Sequence, residues 1–188
     1  MRSSMDSKNL KRKSKFLSLI LRHKPETVGL TLDPQGWVEV EILLQALTVH
    51  GKGMSRATLD LVVAENDKAR FSISEDGQRI RAVQGHSLSV DLELRRASPP
   101  SSLFHGTVAR FLDKILSQGL KPMARHHVHL SADRHTAFKV GSRRGSAVIL
   151  EIDAEAMVAE ERDFFLSENG VWLTEFVEPR FLKLQENR

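Results

Sequence analysis

The feature that most constrains this chain is a break near its middle. In Ala97-Ser98-Pro99-Pro100-Ser101-Ser102, two prolines and three serines interrupt sequence that is periodic on both sides. Neither an internal repeat nor a low-complexity tract accompanies the break, and it is too short to be a long tether. Two touching lobes are therefore expected, residues 1–97 and 98–188, each small enough to need an efficient core. A hydrophobic content of 40% can supply one.

In the first lobe Leu10, Phe16, Leu17, Ile20 and Leu21 recur at helical spacing until Lys24-Pro25, because proline disfavours helical geometry in the residue before it. Arg22 and His23 then sit at the helix C-terminus. Asp33–Gly36 reads as a turn, Trp37–Val40 as extended and Ile42–Leu47 as a helix; Ser55 is an N-cap for a helix running to about Glu65. Phe71–Ile73 and Arg79–Val83 flank the turn Glu75-Asp76-Gly77 as a β-hairpin. Helices followed by a hairpin suggest a winged-helix lobe, an architecture common in nucleic-acid binding. Beyond the break the pattern is α+β: strand Leu103–Thr107, helix Val108–Ser117, strand His127–Ser131, helix Asp133–Val140, and strands Ala147–Ile152, Val171–Thr174 and Arg180–Leu184.

Charge is uneven although the formal net charge is only +4. Residues 1–24 carry Arg2, Lys8, Lys11, Arg12, Lys13, Lys15, Arg22 and Lys24 against Asp6 alone, whereas residues 151–178 carry nine acids against Arg162. A polyanion-facing end is one reading, with residues 1–15 extending a nucleic-acid contact; a solvated helix with a frayed tail is the other. With no cysteine, disulfides, thiolate metal sites and thiol chemistry are excluded. No apolar run approaches a membrane span and the N-terminus is polar and basic, so a cytoplasmic location without membrane association is expected.

Three basic elements lie far apart in sequence: Arg22-His23, Arg79/Arg81 and Arg143-Arg144. Guanidinium groups hold phosphate oxygens by paired, charge-assisted hydrogen bonds, and their convergence would make a phosphate pocket. Arg22 and His23 could equally complement a helix dipole, and Arg79 be a solvated strand residue. Gln84-Gly85-His86-Ser87 offers amide, imidazole and hydroxyl groups behind the hairpin. His105-Gly106-Thr107 closes a strand where glycine would let a ligand approach the backbone. His127, His129 and Ser131 share one strand face. Zinc is the competitor there, but no cysteine or carboxylate triad completes a site, and no metal is expected. Glycine-rich phosphate loops and a Gly-x-Ser-x-Gly elbow are absent from the sequence.

Seven segments, in order, resemble the RNA 2′-phosphotransferase family, bacterial KptA type, from about Lys15 to Leu184. They are Ser14–Pro25, Leu32–Trp37, Arg79–Ser87, Leu103–Thr107, Val128–Ala132, Val140–Gly145 and Asn169–Thr174. The resemblance implies a winged-helix RNA lobe followed by an ADP-ribosyltransferase-like lobe, with NAD⁺ consumed as co-substrate and no metal. It implies that an internal RNA 2′-phosphate attacks the anomeric carbon of the nicotinamide ribose and expels nicotinamide. The ribose 2″-hydroxyl of the ADP-ribosylated RNA then attacks the phosphate, releasing 2′-hydroxyl RNA and ADP-ribose 1″,2″-cyclic phosphate.

The family's catalytic set maps onto Arg22, His23, Arg81 and Arg143. Its Arg-Ala-x-Gln-Gly-His-Ser and Gly-x-Arg patterns align Arg81 rather than Arg79 and Arg143 rather than Arg144. His105, Gly106, Thr107, His129 and Ser131 are implied to hold NAD⁺. Ser146-Ala147-Val148 lacks a proline familiar in the family, and His127 replaces an aromatic residue. RNA is the expected partner, with no obligatory protein partner. Two other functions stay open: ADP-ribosylation of terminal RNA or DNA phosphates, which would leave an adduct, and a non-enzymatic winged-helix regulator that binds nucleic acid.

Overall fold

A computed structural model describes residues 4–65 and 69–185, with side chains from Lys8 onward. Arg2 of the basic N-terminal run lies outside the described residues. Contacts divide the chain into two units, Met1–Glu93 and Leu94–Arg188. The fold is α+β, built from small antiparallel sheets. Among the described residues no helix is long and apolar enough to cross a membrane.

In the first unit, helix α1 spans Ser4–Arg22 and buries Leu17, Ile20 and Leu21, with Leu10 partly covered. It ends where the sequence requires: His23 and Lys24 both donate their N–H to the Leu19 carbonyl, and Pro25–Val28 tightens into a 3₁₀ turn. Strand β1 is only Val38–Glu39, and helix α2 covers Val40–Val49. The expected extended piece Trp37–Val40 is thus shortened, because the Val40 N–H donates to the Gln78 carbonyl as the chain turns into the helix. Helix α3, Arg56–Ala64, is capped by Ser55, whose Oγ accepts from the Thr58 N–H at 3.2 Å. Strands β2, Phe71–Ile73, and β3, Arg79–Ala82, form the hairpin; Asp76 accepts from Ser74 Oγ and the Gln78 N–H in its turn. The sheet order is β1-β3-β2, and Ile80 packs with Leu17, Leu43, Leu47 and Leu59 in the core.

The second unit holds two three-stranded sheets, β4-β6-β9 and β5-β8-β7. Its elements are β4 (Ser102–Val108), α4 (Ala109–Gln118), β5 (Val128–Leu130), α5 (Arg134–Gly141), β6 (Ala147–Asp153), α6 (Ala154–Ala159), β7 (Phe165–Leu166), β8 (Trp172–Thr174) and β9 (Leu182–Gln185). Ahead of β4, Arg96 bridges to Phe165 and the Ala97 N–H donates to the Phe164 carbonyl. Helix α6 and strand β7 are absent from the sequence reading. Six and two residues are too few to show a period, and α6 is held by its cap, Asp153 Oδ1 accepting from the Ala156 N–H at 3.0 Å. The last strand begins at Leu182, two residues later than expected, because Pro179–Phe181 forms a 3₁₀ turn.

Two contacts in this unit fix the candidate site. Phe104 and Ser131 exchange both backbone hydrogen bonds, at 2.9 and 2.8 Å, and so join the edges of the two sheets. Helix α5 lies directly on β4. A Cβ at Gly106 would stand 1.8 Å from the Ala137 carbonyl oxygen, and one at Gly141 2.9 Å from that of Thr107. Glycine at 106 is therefore demanded by the close approach of a helix, a different reason from the ligand approach expected from sequence. That approach delivers the 3₁₀ turn Ser142–Arg144 beside β4.

Candidate active site

The candidate residues fall into two sets, one in each unit. In the first, α1 delivers Arg22 and His23 to its C-terminal end. Arg22 is buried, with Nη2 donating to the Arg70 carbonyl at 3.4 Å; the Val83 N–H donates to the same oxygen at 3.0 Å. The Arg22 guanidinium thus reaches the end of the β2–β3 ladder, at Val83, which follows β3 two residues after Arg81. The Ser87 N–H donates to the Arg22 carbonyl at 3.0 Å, while Ser87 Oγ and His23 Nδ1 share a hydrogen bond at 2.9 Å. Sequence positions more than sixty apart are brought together by these two bonds. His86 beside them is buried, and the Gln84 side-chain oxygen is buried without a hydrogen-bond partner among the described residues.

On β3, Ile80 and Ala82 face the core and Arg79 and Arg81 the opposite side, as strand alternation predicts. The β1–β3 register pairs Val38 with Ile80, and continuing it sets Trp37 opposite Arg81. The Arg81 guanidinium accordingly lies 4.5 Å from the indole centroid, within cation–π distance. Trp37 is placed by Asp33, whose Oδ1 accepts from the Gln35 and Trp37 N–H groups at 2.9 and 2.8 Å. Arg79 differs: it is farther from the ring, at 5.4 Å, and lies 3.9 Å from Asp33 Oδ2.

In the second unit the β4–β5 junction brings His105 and His129 together. A carbonyl can only accept, so the 3.1 Å contact from His105 Nδ1 to the His129 oxygen puts the proton on Nδ1 and leaves Nε2 with its lone pair in the neutral ring. Burial pushes the His105 pKa below its ordinary value, and the Arg144 charge adds to this against the hydrogen bond to His129. Arg125 Nη1 stands 2.9 Å from His129 Nδ1. A guanidinium can only donate, so the neutral His129 ring carries its proton on Nε2. Desolvation and the Arg144 charge both lower the Arg125 pKa. Thr107 is buried on β4, and Ser131 is fixed by its backbone pairing to Phe104. His127 leaves this group: its ring packs edge-on against Phe165, 5.6 Å between centroids.

Arg143 and Arg144 are both exposed in their 3₁₀ turn, and among the described residues neither they nor Arg125 form an ion pair. Arg96, Arg162 and Arg180 in the same unit are each paired, with Asp163, Glu178 and Glu160. Sequence reasoning missed Arg125, and took Arg144 as part of a basic element but preferred Arg143 to it. Arg125 precedes β5 in a turn, outside any periodic element, and only its four-residue spacing from His129 hinted at contact. The structure brings Arg22, His23 and Ser87 together, sets Arg81 on Trp37, and gathers His105, His129, Arg125 and the charge of Arg144.

The family described as RNA 2′-phosphotransferase, Tpt1 / KptA family, matches residues 8–176. A Streptomyces griseus protein named "Probable RNA 2′-phosphotransferase" is 54% identical over 96% of this chain and all of its own length. A Burkholderia lata protein of the same name is 54% identical over 90% of this chain and 88% of its own. A third of that name, from Pseudomonas aeruginosa PAO1, is 53% identical over 95% of this chain and 99% of its own. With the family match covering most of the sequence and these relatives above half identity, the chain belongs to the RNA 2′-phosphotransferase family, Tpt1 / KptA.

Proposed function

We propose that this protein is a cytoplasmic transferase that removes an internal 2′-phosphate from RNA by passing it to NAD⁺. The first unit, three helices and a hairpin, serves as a winged-helix RNA lobe. The second serves as an ADP-ribosyltransferase-like lobe holding NAD⁺. The observation that carries this reading is the pair of hydrogen bonds joining Arg22-His23 to Ser87, which unites two of the family's motif segments at one helix end.

Arg22, Arg81 and Arg143 supply cations for the RNA 2′-phosphate. They are preorganised by a carbonyl, an indole face and a helix-borne turn respectively, and charge held ready in this way commonly supplies the greatest share of an enzyme's rate enhancement. In the first step a 2′-phosphate oxygen bonds to C1″ as the bond to nicotinamide breaks, giving 2′-phospho-ADP-ribosylated RNA. In the second, the 2″-oxygen bonds to phosphorus, the bond to the RNA 2′-oxygen breaks, and that oxygen takes a proton. The products are 2′-hydroxyl RNA and ADP-ribose 1″,2″-cyclic phosphate. In the tautomer whose Nδ1–H donates to Ser87 Oγ, the Nε2 of His23 carries the lone pair that takes the 2″-hydroxyl proton.

The second unit suits NAD⁺ on its own chemistry. His105 Nε2 is an acceptor and His129 Nε2–H a donor, flanked by Thr107, Ser131 and the Gly106 backbone, as a ribose and amide need. The Arg125 and Arg144 charges repel one another, a repulsion that an anionic diphosphate relieves.

The test is incubation of purified protein with a short RNA bearing one internal 2′-phosphate, with and without NAD⁺ and without added metal, with products resolved by mass. NAD⁺-dependent loss of the phosphate with appearance of the cyclic phosphate is the expected result. A persistent ADP-ribosylated RNA overturns it in favour of terminal-phosphate transfer. Unchanged RNA and NAD⁺ overturn it in favour of a binding module.

A further inference from the structure

The outer face of α1 carries a charge pattern that the proposed catalytic and NAD⁺-holding residues do not account for. At about 100° per residue, Lys8, Lys11, Arg12 and Lys15 fall within an arc of about 100°, opposite Leu10, Leu17 and Leu21. All four are exposed, and among the described residues none forms an ion pair; Arg12 donates only to Asn9 Oδ1, at 3.3 Å. Lys13 lies off this stripe and spends its ammonium on the Gly53 carbonyl at 3.2 Å.

A merely solvated face looks different, as α3 shows in the same unit: there Arg56 and Asp60 pair at 2.9 Å across one turn. On α1 the corresponding spacings, Lys8 to Arg12 and Lys11 to Lys15, oppose like charges, which disfavours the helix unless an anion lies along it. The position of Arg22 on the same helix falls in the same arc, about 21 Å along the axis from Lys8 at 1.5 Å per residue. Lysines dominate the stripe and no aromatic residue interrupts it, so it can hold phosphates as point charges but offers no platform for stacking bases.

We infer that the face of α1 bearing Lys8, Lys11, Arg12 and Lys15 is a track for the sugar-phosphate backbone of RNA nucleotides flanking the 2′-phosphate held at Arg22-His23. The inference rests on the proposed RNA-directed reaction. It adds that recognition extends along the helix, without regard to base sequence, for several nucleotides beyond the reacting one.

The test uses the full-length protein and the quadruple variant K8Q/K11Q/R12Q/K15Q, whose glutamines keep helix propensity. Each is assayed with a 2′-phosphorylated trinucleotide and with a fifteen-nucleotide RNA carrying the same phosphate centrally. The expected result is a KM for the long RNA raised about ten-fold or more at low salt, with KM and kcat for the trinucleotide unchanged. The slope of log affinity against log salt for the long RNA should also shrink, by up to about 2.8 for four lost phosphate contacts on a single strand. The triple variant K8R/K11R/K15R, which keeps the charge, should behave as wild type.

An unchanged KM and salt slope for the long RNA overturns the track, and so does an equal loss on both substrates, which would place the effect at the site or the fold. Binding of the wild type to phosphatidylserine vesicles that the substitutions abolish, with RNA affinity intact, assigns the face to a membrane and likewise overturns it. If the wild type turns over neither RNA, the reaction reading fails separately. The salt slope for binding unmodified fifteen-nucleotide RNA then still decides the track.

Discussion

The two units hold their arginines by different means. In the second, carboxylates sort them: Arg96, Arg162 and Arg180 are tied to Asp163, Glu178 and Glu160, while Arg125, Arg143 and Arg144 have no such partner among the described residues. In the first, the backbone and an indole do the sorting. Arg22 is buried on the Arg70 carbonyl, Arg81 lies on Trp37, and Arg79 lies near the Asp33 carboxylate. A cation held by carboxylates is already neutralised. One held by a carbonyl or a ring face keeps its charge for a ligand but becomes part of the packing.

This contrast predicts different penalties for losing an arginine proposed for the reaction in each unit, and these are the largest effects expected. Arg143→Ala should lower turnover by about 10²–10³-fold, the usual loss for a preorganised charge-stabilising group, and leave the melting temperature essentially unchanged because the side chain is exposed. Arg22→Ala should lower turnover at least as much and also destabilise, since it removes a buried donor and leaves the Arg70 carbonyl with one fewer partner. Steady-state kinetics and thermal unfolding of both variants check this. Equal melting temperatures would break the comparison. Arg144→Ala belongs in the same series: the charge that registers on His105 and Arg125 is that of Arg144, so its loss should raise KM for NAD⁺ rather than abolish turnover.

A middle-sized effect tests the indole. Trp37→Leu removes the face on which Arg81 rests, an interaction of about 0.5–2 kcal/mol, and should lower kcat/KM for RNA between about two- and thirty-fold. Trp37→Phe should recover much of the loss, and Arg79→Ala should change kcat/KM less than about three-fold because its ion pair with Asp33 is long and exposed. Equal losses for the Arg79 and Arg81 alanine variants would remove the distinction drawn between them. In the second unit, Arg125→Gln should raise KM for NAD⁺ by about ten-fold with kcat little altered, by releasing the proton arrangement of His129. A fall in kcat at unchanged KM would place Arg125 in the chemistry instead.

The parts legible in sequence were those with strong local signals. Lys24-Pro25 ends α1 where proline requires, Ser55 caps α3, and the alternation of β3 puts Arg79 and Arg81 on one face. Short elements were not legible: α6 and β7 depend on a single aspartate cap and on two ladder pairs, below the length at which a period can be seen. The candidate site residues came from motif resemblance, and their physical partners were not legible. Nothing local says that Gly106 makes room for the Ala137 carbonyl, which depends on how α5 packs on β4, and the four-residue spacing of Arg125 and His129 lies in a turn with no period to reveal it. Pairing between distant segments is a tertiary outcome, and single-sequence patterns do not encode its register.

The smallest expected effect concerns His105, and it separates the second unit's buried histidine from its arginines. Burial first, and the Arg144 charge in support, hold the folded His105 pKa below the ordinary value of about 6.5. As pH falls through about 6.5 the unfolded imidazole takes up its proton before the folded one does. The unfolded state then binds more protons and stability declines with acidification, continuing until the folded pKa is passed. A unit or more above about pH 6.5 both states are neutral at this position and stability should not depend on it. His105→Asn removes the titration while its side-chain amide can still donate to the His129 carbonyl in place of Nδ1. Urea unfolding midpoints of wild type and variant between pH 8 and 5 should therefore run parallel above pH 7 and converge below 6, with the wild type showing the steeper acid limb. His127, also lowered by desolvation, is common to both proteins and cancels in the difference. Parallel curves throughout would mean that His105 is protonated as readily in the fold as outside it. It could not then present a neutral acceptor beside the Arg144 charge.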